Sequence, residues 1–135
     1  MKTLLLLLVA TAAFGQQPPP QEDPIGQQLF PPELIMSQSQ KLHLDEKQRT
    51  TIKNEVQRAQ SKFFDLQWEL KEASDAMVQM LQQTPIDEAR VLEQADKVMG
   101  LEREIKKIHL SMLIRIKNSM TAEQIGQLRQ LRGGR

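Results

Sequence analysis

The feature that most constrains this chain is a long apolar stripe: Ile52, Val56, Ala59, Phe63, Leu66, Leu70, Ala73, Met77 and Met80. Its steps alternate four and three residues, a 3.5-residue repeat sustained through several heptads. A seam of that kind requires a partner helix along its whole length, and the chain supplies one next in sequence. Past Thr84-Pro85, where the residue before proline is pushed out of helical geometry, a second stripe runs through Val91, Ala95, Val98, Glu102, Ile105, His109, Met112 and Ile116. A connection of only a few residues forces the two helices antiparallel. The expected fold class is therefore all-α, built on one long antiparallel helical hairpin.

The helix ends are written in local chemistry. Asp45 is placed to accept hydrogen bonds from the free amides of a first turn, with Gln48 at the return position of a capping box, so the first long helix starts there and runs to about Gln83. Asp87, or Thr84 with Pro85 at the first helical position, caps a second long helix ending near Ser119. Met120-Thr121-Ala122-Glu123-Gln124 repeats the first boundary's grammar, with Thr121 as cap and Gln124 reaching back. A short helix carrying Ile125, Leu128 and Leu131 follows, ending at Gly133-Gly134. At the other side, Pro31-Pro32 suits the first turn of a short helix from Glu33 to about Lys41, carrying Leu34, Ile35 and Met36. Residues 31–132 thus form one hairpin domain flanked by two short helices, and 133–135 a tail. Between Ile108 and Ile116 the apolar residues spread beyond one stripe, adding Leu110, Leu113 and Ile114. That stretch needs cover on two sides, and a homodimer is the expected state.

Residues 1–15 read as a cleaved signal peptide: Lys2, an apolar run from Leu4 to Ala13, and small residues at Ala13 and Gly15. The run is about half of the ~20 residues that span a bilayer. An uncleaved N-terminal anchor is the alternative, and it leaves the domain on the same side of the membrane. The expected location is the periplasm, with no membrane span after cleavage. Residues 16–30, rich in Gln and Pro around Pro18-Pro19-Pro20, read as a flexible tether with too little apolar surface to offset ordering.

Charge and residue usage exclude several classes of function. With 18 Lys and Arg against 17 Asp and Glu there is no long-range attraction to nucleic acid. The absence of Cys rules out disulfides and thiolate chemistry. No Gly-rich phosphate loop is present, and Ser111 lies on a different helical face from His109, so the two do not pair as nucleophile and base. No enzymatic activity is expected.

Two motifs, Leu44-Asp45-Glu46-Lys47-Gln48 and Met120-Thr121-Ala122-Glu123-Gln124, bracket this hairpin behind a signal peptide. That arrangement resembles the Spy/CpxP-like periplasmic family with its Leu-Thr-x-x-Gln motifs. The segments Pro85-Ile86-Asp87-Glu88-Ala89-Arg90-Val91-Leu92 and Ile114-Arg115-Ile116-Lys117-Asn118 look like the heavy-metal-resistance and metal-sensor branch, similar to CnrX and ZraP. The first motif departs from the pattern with Asp45 for Thr, the second with Met120 for Leu. The resemblance implies an α-helical homodimer that holds partly unfolded envelope proteins, or binds metal and reports it to a membrane-bound sensor or regulator.

Candidate sites follow from the residue types available. For a divalent transition metal (Zn, Ni, Co or Cu), His and Met are the borderline-to-soft ligands. His109 and Met112 are neighbours on one helical face, while His43 levels with about position 128, far from His109. His109 reads first as a residue packed at the seam edge, capped by Glu102, Lys106 or water, because two ligands fall short of a closed site. Met36, Met77, Met80, Met99 and Met120 follow the apolar stripes as core filling, or, where Met77, Met80 and Met99 gather, a Cu(I) thioether site. For client holding or dimerisation the candidates are Phe63, Phe64, Trp68, Leu110, Leu113 and Ile114, flanked by Arg103, Lys106, Lys107, Arg115 and Lys117. A purely structural dimerisation or docking module is the remaining reading.

Overall fold

The computed structural model describes residues 23–133, so the signal-peptide segment and residues 16–22 of the tether lie outside the described residues. A single 3-10 turn at Gly26–Gln28 leads into α1 (Pro32–Ser37). Next come α2 (Glu46–Leu81), α3 (Glu88–Asn118) and α4 (Ala122–Gly133), with no strand among the described residues. Helices α2 and α3 pack against one another as the expected hairpin. At 36 residues, α2 is about 54 Å long.

The choice of cap between the long helices falls to Asp87, whose side chain accepts the Arg90 amide at 3.2 Å. Helix α1 is shorter than the expected Glu33–Lys41. Its chain must turn so that both Leu42 and Leu44 enter the core, and His43 between them takes a left-handed backbone (φ 52°) that aims its imidazole outward. The folded unit also starts earlier than residue 31. Phe30, placed in the tether by composition, is 1% exposed and sits in the core. One aromatic ring supplies the apolar area that the surrounding Gln and Pro lack.

The core lies at the open end of the hairpin. Phe30, Ile35, Leu42, Leu44, Ile52, Ile116, Met120 and Leu128 form one buried cluster, with Leu34, Val56, Met112 and Ile125 packed against it. Farther out along the arm only Ala73 and Val91 are buried hydrophobics. The rest of both stripes is half-buried, with Phe63, Glu102 and His109 exposed, because two helices alone cover a seam from two sides only. Gln94 joins them mid-arm, donating to the Ala73 carbonyl at 2.7 Å.

The two capping boxes meet at the base. Gln48 and Gln124 are 8% and 7% exposed. Each side-chain oxygen accepts its own cap amide: Asp45 N–H to Gln48 at 3.2 Å, Thr121 N–H to Gln124 at 2.9 Å. Each side-chain nitrogen reaches across to the other motif, Gln48 Nε2 to the Ser119 carbonyl at 3.0 Å and Gln124 Nε2 to the Leu42 carbonyl at 2.9 Å. The amides also bond reciprocally, at 2.7 and 3.1 Å. Both donors and both acceptor lone pairs of each amide are thereby filled. The surrounding backbone fixes which atom is oxygen and which nitrogen.

Gln124→Ala should lower unfolding free energy by about 3 kcal/mol, from a lost cap and stranded buried partners. In urea titrations the Gln48→Ala/Gln124→Ala double variant should lose less than the sum of the singles by about 1 kcal/mol or more. Gln124→Glu should show a pH signature. Its carboxyl, facing the Leu42 carbonyl, stays protonated in the fold but ionises when unfolded, so the unfolded state binds fewer protons. Stability then falls by up to ~1.4 kcal/mol per pH unit as pH rises above ~4.3.

Candidate functional site

The hairpin's two open flanks differ in chemistry at one level of the arm. On one flank, Ala59, Gln60 and Phe63 of α2 and Ile105, Lys106, Ile108, His109 and Met112 of α3 line a groove of about 840 Å³, with Asp23 and Ile25 at its side. On the other, Arg58, Lys62, Lys107, Ser111 and Arg115 surround a smaller depression of about 210 Å³. Ala59, Ile108 and Met112 line both. Ala59 makes this possible: a stripe position occupied by a methyl group leaves the seam thin.

His109 and Met112 therefore share one groove, at the level of Phe63 expected from antiparallel register. His43 is exposed in the turn between the core leucines and lines no part of it. Glu102 sits instead with Met99, Arg103, Lys106, Lys107 and Leu110 around a separate depression. Among the described residues, no three His, Cys, Asp or Glu side chains gather as a metal-holding group. Among the described residues the groove thus offers an imidazole and a thioether, two ligands where a closed structural site takes four. Of the other methionines, Met120 is core, Met77 and Met80 are half-buried, and Met36 and Met99 are exposed.

The apolar candidates mostly remain at the surface. Phe64 and Trp68 are 62% and 55% exposed and meet edge to face, ring centroids 6.3 Å apart. With Gln67, Leu70 and Lys71 they line a shallow hollow of about 440 Å³. The Lys71 ammonium, hydrogen-bonded to Asp75 at 2.7 Å, holds its proton above the ordinary lysine range, so this hollow has a fixed cation on its rim. Phe63, Leu110 and Ile114 are exposed and Leu113 is half-buried.

Three further residues take part without a sequence signal of their own: Glu55, Asp23 and Ile25. Glu55 stands between Arg58 at 3.1 Å and Arg115 at 3.6 Å and is the one ion-pair link between α2 and α3 among the described residues. Its 3.5-residue neighbours hid it on what reads as a solvated face. Asp23 and Ile25 were assigned to the tether; the signal that could have found them is Phe30, the one aromatic between the leader and the hairpin.

Among the described residues, no helix is long and apolar enough to cross a membrane. A family model described as heavy-metal resistance matches residues 3–127. No curated protein and no solved structure matches the chain.

The backbone at His43 yields a prediction that separates its conformation from its ring. His43→Asn should leave thermal stability within about 0.5 kcal/mol, since Asn tolerates left-handed geometry. His43→Val should cost ~1–2 kcal/mol or more, because a β-branched residue does not. Melting curves of the two variants check this.

Proposed function

Because the chain belongs to the heavy-metal-resistance family, we propose that it is a non-enzymatic, periplasmic stress protein that acts as a homodimer by holding polypeptide against the flanks of its hairpin. The clients are partly unfolded envelope proteins or an exposed segment of a membrane-bound regulator. The observation that carries this reading is the position of the core. Burial is concentrated at the base, and the arm keeps Phe63, Phe64, Trp68, Leu110 and Ile114 at the surface beside Lys106, Lys107 and Arg115. Exposed apolar ridges bordered by charge suit segments of mixed polarity. The N-terminal pattern of Lys2 and the Leu4–Ala13 run supports export.

A second reading, metal binding, draws on His109 and Met112 lining the same groove. His109 and Met112 are two ligands, so a second copy of the chain would have to complete the set.

The metal-free mature protein should suppress aggregation of an unfolded model client near stoichiometric ratio. Replacing both Phe64 and Trp68 by Ser should weaken that hold roughly 5–30-fold, the effect of losing ~1–2 kcal/mol of anchor contact. Calorimetry with Zn, Ni, Co and Cu, with His109→Ala and Met112→Ala as controls, decides the second reading. Tight metal binding lost in both variants, with no suppression of aggregation, reverses the order of the two.

A further inference from the structure

We propose that the segment Asp23–Phe30 is a fixed third wall of the apolar groove, held there by α4, and that Ile25 helps grip extended polypeptide in it. The gripping half of this inference rests on the polypeptide-holding function proposed above.

The anchoring is unusually complete for a segment of Gln, Gly and Pro. Phe30 is buried in the core, and two cations from different helices lie over its ring. The Arg132 guanidinium of α4 is 4.9 Å from the centroid and the Lys117 ammonium of α3 is 5.9 Å from it. The same two side chains donate to three consecutive carbonyls of the segment. Arg132 reaches those of Gly26 and Gln27 at 3.1 and 3.0 Å, and Lys117 reaches that of Gln28 at 2.6 Å. Each cation thus satisfies the strap's backbone and stacks on its anchor at once.

The strap is also closed on itself. Gln27 N–H donates to the Asp23 carbonyl at 3.0 Å, Gln28 N–H to that of Ile25 at 3.1 Å, and Ile25 N–H to Asp23 Oδ1 at 3.1 Å. A Cβ at Gly26 would fall 2.5 Å from Asp23 Oδ2, so any larger residue there would displace the Asp23 carboxylate.

Burial of the Phe30 side chain alone would seal the core if the segment began at that residue. Instead it continues along the seam to place Ile25, 68% exposed, and the Asp23 carboxylate beside Phe63, Ile105 and Met112. A branched aliphatic that is both exposed and held in place contributes surface without contributing fold. With Lys106 and Asp23 on the same groove, the rim carries both charge signs. An amphiphile of one sign finds a repelling group there. A polypeptide of mixed polarity finds partners for both.

Ile25→Ser in the full mature protein leaves the fold intact, since the side chain is mostly exposed. With a fluorescein-labelled, reduced and carboxymethylated model protein as probe, its affinity should fall about 5–10-fold at an unchanged melting temperature. Arg132→Ala should weaken binding similarly by releasing the strap. That release is read directly from spin labels on Ile25→Cys and Gln60→Cys, whose narrow distance distribution should broaden when Arg132 is replaced; the chain's lack of native Cys makes the labelling clean. Equal or tighter probe binding by Ile25→Ser overturns the gripping role while leaving the proposed function standing. A label distribution unaffected by Arg132→Ala overturns the wall held by α4. Failure of the unaltered protein to bind the probe removes the proposed function, and with it the gripping role, while the label distances still decide the wall.

Discussion

The pairing of the Gln48 and Gln124 side chains is the constraint on which the rest of the structure depends. Each amide does three jobs: it completes a helix cap, bonds its counterpart, and takes up a carbonyl from the opposite boundary. A buried amide with any of these partners missing costs about as much as a lost core side chain, so the arrangement is stable only when whole. Because the Ser119 and Leu42 carbonyls belong to the turns that deliver Ile116, Met120 and Leu44 into the core, polar satisfaction and apolar packing are one event here. Direction matters too. An amide has donors and acceptors in fixed positions, so the pair sets how α4 and the α1–α2 turn lie on each other, which apolar contact alone leaves loose.

That arrangement leaves the arm supported at one end. Beyond Val56 and Met112 the hairpin relies on a thin seam, with Gln94 bonded to the Ala73 carbonyl, while Glu55 between Arg58 and Arg115 ties the helices just short of that point. The same lopsided burial that makes the base firm leaves aromatic and aliphatic side chains along the arm at the surface. Stability and availability are thus assigned to different lengths of the same two helices, which lets the flanks present apolar groups without dissolving the fold.

The hairpin was legible in the sequence because its signals are local or periodic. The stripes from Ile52 and from Val91 set both helices, and Asp45, Asp87 and Thr121 act as caps where their chemistry placed them. The meeting of the two capping boxes was not legible. Each motif explains itself as a good helix start, and nothing local says that a glutamine already bonded to its own cap has three further hydrogen-bonding positions to fill. The strap was hidden for the opposite reason: averaging over Gln and Pro diluted the one residue, Phe30, whose burial decides the matter. His109 and Met112 line one groove, as i and i+3 on a helix share a face regardless of tertiary context. The groove itself was not legible, since it needs Ala59 from the other helix and Ile25 from the strap.

Gln48 and Gln124 are 76 residues apart in sequence. Contacts around the corner at Pro85 are short in sequence and can form early, whereas closure of the base joins segments that far apart and waits until α4 has been made. Until then Phe30, Ile35, Leu44 and Ile52 have no lid, and the nascent chain carries its most apolar surface uncovered. Loss of α4 is therefore far more damaging than its length suggests: it deletes the element that closes the base and ends this vulnerable interval.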